Sequence, residues 1–118
     1  MAESKGFTIN KNVTITEEVI QIIAGLAAAE VDGVKSLNGG LSGAVIAKAG
    51  ASRLQKAVKI AVDGENNLVV RISLVLDYGF EIPVVCEQVQ EKIKSTVENM
   101  TGLPVSDVDI RIASVEMD

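Results

Sequence analysis

The chain has 118 residues, a formal net charge of -5 and no histidine, which fits one domain with a real core. The missing histidine excludes Ser-His and Cys-His nucleophile pairs and the commonest zinc ligand, and Cys86, the sole cysteine, leaves no internal disulfide or thiolate cluster. Phe7, Tyr78 and Phe80 are the only aromatic residues, leaving little stacking surface for bases or flat cofactors; neither a cofactor nor a metal site is expected.

Residues 1–6 lack the charged-then-apolar pattern of a secretory leader and are read as a flexible N-terminus before a single domain over 7–118. No uncharged stretch reaches the roughly 20 apolar residues needed to span a bilayer. A lone cysteine fits a reducing compartment, so the expected location is the cytoplasm, with peripheral contact at the inner face of the membrane as the alternative.

From Phe7 to Ile15 apolar and polar residues alternate around Lys11, which predicts one irregular strand or a small ribbon. Thr14 or Thr16 then caps a helix from about Glu17 to Glu30, with Thr14 and Glu17 at capping-box spacing. That helix is apolar nearly all round, Gln21 being the only strongly polar side chain between its acidic ends. It therefore needs cover on a second side. Ala24, Gly25, Ala27, Ala28 and Ala29 allow close approach by a second subunit or by the glycine-rich segment folding back.

A short strand follows Val31-Asp32-Gly33-Val34, and Leu41 to Ala49 reads as a marginal helix within a glycine-rich basic loop over 37–56. Between Gly33 and Val62 lie Lys35, Lys48, Arg53, Lys56 and Lys59 and no acidic residue, against six basic and sixteen acidic groups elsewhere. Charge of one sign on such a segment steers an anionic partner, or merely keeps a loop solvated. Gly39, Gly40, Gly43, Lys48, Arg53, Lys56 and Lys59 are the candidate interaction residues.

Alternation at Val58, Ile60 and Val62, the turn Gly64-Glu65-Asn66-Asn67, and alternation from Leu68 to Leu76 predict an antiparallel hairpin. Pro83 opens a second helix with an apolar stripe of Val85 or Cys86, Val89, Ile93, Val97 and Met100. Gly102 is placed for a left-handed cap, Leu103 folds back on Val97, and Pro104 prevents continuation. The last strand turns Val108, Ile110 and Ile112 inward. The order strand, helix, strand, loop, hairpin, helix, strand predicts a two-layer α+β domain, with four to five strands in a mixed sheet and two main helices on one face. The strand-helix-strand unit from Leu68 to Ile112 places its two strands parallel.

Gly39-Gly40-x-x-Gly43 lacks the Gly-Lys-Ser/Thr or strand-flanked context of a nucleotide loop. Gly40-Leu41-Ser42-Gly43 matches the GXXG loop of KH modules, but it follows a strand and carries no charge at its centre, which disfavours nucleic acid. Cys86 near a helix start is read as a small buried hydrophobe rather than an activated thiol, and Glu87 with Glu91 as a solvated helix face.

Residues 22–34 (IIAGLAAAEVDGV) with the glycine run after them, Asp77-Tyr78-Gly79-Phe80-Glu81-Ile82-Pro83 through Gln90, and Met100-Thr101-Gly102-Leu103 to Val108-Asp109-Ile110 resemble the alkaline shock, or Gls-type general stress, proteins of Gram-positive bacteria. The resemblance runs from about Ile9 to Val115. It implies a non-enzymatic cytosolic protein of envelope homeostasis that works through protein partners: a membrane anchor protein, family paralogues or itself. The branch with this Gly-Gly-x-x-Gly version implies, as an alternative, control of acetyl-CoA carboxylase and fatty-acid synthesis. A KH-like or anionic-surface binding domain is the remaining alternative, with peripheral contact to an anionic membrane as its form outside nucleic acid.

Overall fold

The computed structural model describes residues 6–117, so the expected flexible N-terminus lies outside the described residues except for Gly6, which begins the first strand. Strands β1 (Gly6–Asn10) and β2 (Val13–Thr16) pair antiparallel as a separate ribbon. Asn12, with φ 68°, makes the tight turn between them, a conformation asparagine tolerates better than most residues. Of the two expected forms, the ribbon is the one present.

Helix α1 (Glu17–Ala29) follows directly. Thr16 is its N-cap in extended conformation without a side-chain hydrogen bond, and Thr14 is held in β2, so the expected capping box does not form. Glu17 and Glu18 still place negative charge on the positive end of the helix dipole. Gln21 is 3 % exposed and its Nε2 donates to the Val58 carbonyl at 3.0 Å, tying α1 to the sheet.

The main sheet is organised around β5 (Leu68–Asp77). Along one edge β5 pairs antiparallel with β4 (Val58–Val62) over Leu68–Ile72, and then with β3 (Val34–Leu37) over Leu74–Leu76. Ser73 is the junction: its N–H donates to the Ala57 carbonyl at 2.9 Å, and its carbonyl accepts from Asn38 N–H at 2.9 Å. The other edge takes β6 (Val105–Glu116) in parallel along the whole of β5. The parallel crossover is thus as expected, and it runs through α3 (Ile82–Thr101).

Period-two alternation sends Leu68, Val70, Ile72, Leu74 and Leu76 to one face, where all are buried with Val58, Ile60, Val105 and Val108. Helices α1 and α3 pack on that face through Ile20, Ala24, Ala27 and Ala28 and through Val85, Val89, Ile93 and Val97. Met100, expected on the stripe, is 66 % exposed, and Thr101 is buried in its place. The reason is local: Thr101 Oγ1 donates to the Val97 carbonyl at 2.7 Å and accepts from Leu103 N–H at 3.1 Å, so the last turn faces Thr101 inward. Gly102 closes the helix in the left-handed region at φ 76°.

Between the end of β3 and the start of β4 the chain leaves the sheet. The expected glycine-rich basic loop over 37–56 is largely helical: α2 (Gly43–Ala49), capped by the Ser42 hydroxyl accepting from Val45 N–H, runs into a 3-10 turn at Gly50–Arg53. This excursion is the second cover of α1. A Cβ on Gly25 would lie 3.4 Å from Ile46 Cδ1, 3.4 Å from Leu37 Cδ2 and 3.5 Å from Leu54 Cδ2. The small residues of α1 therefore admit a segment of the same chain.

Two positions give direct tests. Gly33 has φ +98°, and a Cβ there would fall 2.8 Å from Val85 Cγ2 and 3.0 Å from the Phe80 ring. Gly33→Ala should lose about 1–3 kcal/mol by combined backbone strain and overpacking, read as a lower urea midpoint with an unchanged denaturant slope. In the β4–β5 turn, backbone N–H groups of Asn67 and Glu65, with the Ser106 hydroxyl, hold the Asp63 carboxyl below its ordinary value. A depressed carboxylate stabilises the fold above its unfolded pKa, and that contribution disappears as pH falls through the folded value. Asp63→Asn should therefore be less stable than the parent near neutral pH, with the difference vanishing in acid when urea midpoints are followed against pH.

Candidate functional site

With both main helices on one side of the sheet, the alternate residues of β4, β5 and β6 form a bare second face, open to solvent except at buried Val75. Register sets its chemistry. Lys59 stands opposite Arg71, and Arg71 opposite Asp109, so one row reads Lys59-Arg71-Asp109 across three strands; in the next row Ser73 stands opposite Arg111. Lys56, just before β4, joins them, and Lys56, Lys59, Arg71, Ser73, Asp109 and Arg111 line a shallow open groove of ≈ 350 Å³. Like charges directly opposite on a sheet destabilise it. Asp109 offsets the Lys59-Arg71 pair, with its Oδ2 3.5 Å from Arg71 Nε. Both partners are more than half exposed, so the ion pair adds at most about 1 kcal/mol. Four cations around one carboxylate leave the groove positive on a chain that is negative overall.

The seven residues expected to interact do not form one site. Lys56 and Lys59 sit on the groove. Lys48 lies exposed in the last turn of α2, favourably placed on the helix dipole, and Arg53 in the 3-10 turn, both on the excursion that covers α1. Gly39 and Gly40 are exposed turn residues with φ 95° and 76°, and Gly43 starts α2, where a Cβ would meet the Ala29 Cβ at 3.7 Å. These glycines build a turn. Leu37 and Leu41 bond each other's backbones at 2.9 and 3.3 Å, and Leu41, 3 % exposed, is part of the core. The residue at the centre of a would-be GXXG clamp thus faces inward, and the loop joins a strand to α2 instead of two helices. Lys35, the remaining cation of the segment, lies 4.0 Å from Asp77.

Arg71 and Arg111 were missed by reading along the chain, because only strand register brings them beside Lys59. The available signal was an outward-facing cation in each of two strands already identified as alternating. A second surface also lacked a signal along the chain. Tyr78 is 68 % exposed, and Phe80, Ile82 and Val84 are exposed beside it at the start of α3. Tyr78 N–H donates to the Glu116 carbonyl at 2.9 Å, which sets this apolar end next to exposed Met117.

The excess of positive charge in the groove suits an anion. Among the described residues no group of three or more His, Cys, Asp or Glu is placed to hold a metal ion, and no helix is long and apolar enough to cross a membrane. Cys86 is half-buried near the start of α3, where burial raises its thiol pKa.

The sequence profile of the alkaline shock protein 23 family, described as having a cell envelope-related function, matches residues 5–117. The chain belongs to this alkaline shock protein family. It is 36% identical over 106 residues to the uncharacterized protein YqhY of Bacillus subtilis (strain 168), covering 90% of this chain and 78% of that protein. It is 29% identical to the uncharacterized protein Spy1535 of Streptococcus pyogenes serotype M6, covering 87% and 78% of the two chains. A stress response regulator gls24 homolog of Streptococcus pyogenes serotype M3 is 26% identical over 92% of this chain and 60% of its own length. The resemblance to the alkaline shock and Gls-type proteins is thereby established. No solved structure matches.

The state of Cys86 is open to test. With its thiol pKa raised by burial, alkylation of the native protein should be slower near neutral pH than for a free thiol, and its rate should rise at higher pH than for the urea-unfolded chain. Mass spectrometry of iodoacetamide adducts against pH gives both curves.

Proposed function

We propose that this member of a cell envelope-related family is a non-enzymatic protein-interaction module that docks an acidic surface of a protein partner on the bare face of its sheet. The observation that carries the reading is the groove, where Lys56, Lys59, Arg71 and Arg111 from three strands and a loop converge around a single carboxylate. On a chain of net charge -5, such a concentration of positive charge selects orientation: an acidic partner is repelled by most of the surface and attracted at one place. Three of the four cations stand on hydrogen-bonded strands, so little backbone ordering is needed on binding. The exposed apolar end at Tyr78 and Phe80 offers a second contact of the kind that gives an electrostatically steered complex its residence time.

The family supports an envelope setting for that partner, and the partner classes that fit are a membrane anchor protein, a paralogue or a lipid-synthesis enzyme. The absence of histidine and the half-buried position of Cys86, where burial raises the thiol pKa, support a docking role over catalysis.

In-cell crosslinking of the full chain, compared with Lys56→Glu/Lys59→Glu, tests the proposal. The parent should capture an envelope protein with an acidic surface, and purified binding should weaken with salt. The double variant should bind about tenfold more weakly, equivalent to about 1.4 kcal/mol. Equal capture by both chains, or salt-sensitive binding to vesicles of anionic lipid with no protein captured, would refute the reading.

A further inference from the structure

Strand β6 forms one border of the main sheet: it pairs with β5, and among the described residues no other strand pairs with it. A long unpaired strand edge is a template for another strand, and proteins usually blunt it with bulges, lysines, prolines or a covering element. Here the register shifts near Ser106 and again near Ala113, leaving the run from Asp107 to Ile112 regular between two bulges. No lysine or proline interrupts that run. Its partial cover is Gln90 of α3, whose Nε2 donates to the Val108 carbonyl at 3.0 Å, and a carbonyl so engaged keeps a second lone pair for a strand partner.

The sequence of this edge is complementary to its own reverse. Within that regular run, an antiparallel copy centred on Ile110 sets Ile110 against Ile110, Val108 against Ile112, and Asp109 against Arg111. The apolar members fall on the helix-covered face, where Ile110 and Ile112 are only half-buried despite facing the core side. Asp109 and Arg111 fall on the bare face, where the two-fold would form the Asp109–Arg111 pair twice, once on each side of Ile110. A parallel copy in register would set Asp109 against Asp109 and Arg111 against Arg111, which like-charge repulsion disfavours.

We infer that β6 is a self-association edge, through which a second copy of this chain adds in antiparallel register about Ile110 to make one continuous sheet. The interface is isologous, as a two-fold axis through Ile110 requires. It joins the two basic grooves side by side on one face and brings the half-open Ile110 and Ile112 of each copy against the partner's apolar row. This inference stands on the strand pattern and does not depend on the docking reading, whose test uses substitutions outside β6.

Charge exchange tests it with the full chain. Sedimentation over a concentration series should show a reversible dimer for the parent, weak because an edge contact is small. Arg111→Asp and Asp109→Arg should each weaken it about tenfold, since both symmetry-related attractive pairs become repulsive. An equimolar mixture of the two variants should recover dimer, because acidic edges then face basic ones; circular dichroism confirms that each variant is folded. Independently, Ile110→Cys in a Cys86→Ser background should oxidise to a disulfide-linked dimer, opposed residues of an antiparallel pair being within disulfide reach, whereas Ser95→Cys on the outer face of α3 should not. A parent that stays monomeric throughout the series, a dimer indifferent to Arg111→Asp, or a mixture that fails to recover overturns the inference.

Discussion

Strand β5 is the element on which the rest of the molecule depends. It is bonded along both edges, to β4 and β3 on one side and to β6 on the other, and Leu68, Val70, Ile72, Leu74 and Leu76 lie in the core cluster. The strands it holds together, four and five residues long at β3 and β4, are too short to persist as a ribbon of their own. Ser73 is where their demands meet, its backbone engaged at once by Ala57 and Asn38. Because β3 and β4 share one edge end to end, the chain between them must depart and return at that point. The departure became a cover for α1 because α1 offers Gly25, where a Cβ would already lie 3.4–3.5 Å from Leu37, Ile46 and Leu54.

Much of this order was legible in the sequence where periodicity was strong. Alternation from Val58 to Leu76 identified β4, β5 and their turn, and the stripe Val85-Val89-Ile93-Val97 with Gly102 after it identified α3 and its end. The family motifs placed the same elements in the same order. What local pattern does not contain is which edge a strand uses: nothing in Val34–Leu37 says that it continues the line of β4. Met100 was misplaced for a related reason, since a hydrogen-bonded threonine competes for the inward position of a final helical turn and a hydrophobicity pattern ignores it.

The candidate site was half legible. Charge asymmetry drew attention to the segment from Gly33 to Val62, and Lys56 and Lys59 do sit on the bare face. The segment is contiguous in sequence but divided in space. Lys48 and Arg53 leave with the excursion, Lys35 faces Asp77, and the glycines serve turn and packing geometry. The missing half came from Arg71 and Arg111, which belong to strands that looked wholly structural. A strand with one buried face necessarily presents its alternate residues together, so a cation in a core strand carries functional information only after its register is known.

A two-layer domain leaves one sheet face and at least one strand edge without internal partners, and the two demand different residues. The face is stable in water if it is polar, which Lys59, Arg71, Asp109 and Arg111 achieve without burying charge. Those positions are consequently free to be chosen for recognition, because stability resides across the sheet in aliphatic packing. The edge is not free in the same way, since its backbone groups are fixed by the strand itself and only side chains decide what pairs with them. Asp109 and Arg111 belong to both, facing the groove while standing two residues apart about Ile110. One pair of side chains can therefore set the sign of the face and the direction in which a strand meets the edge.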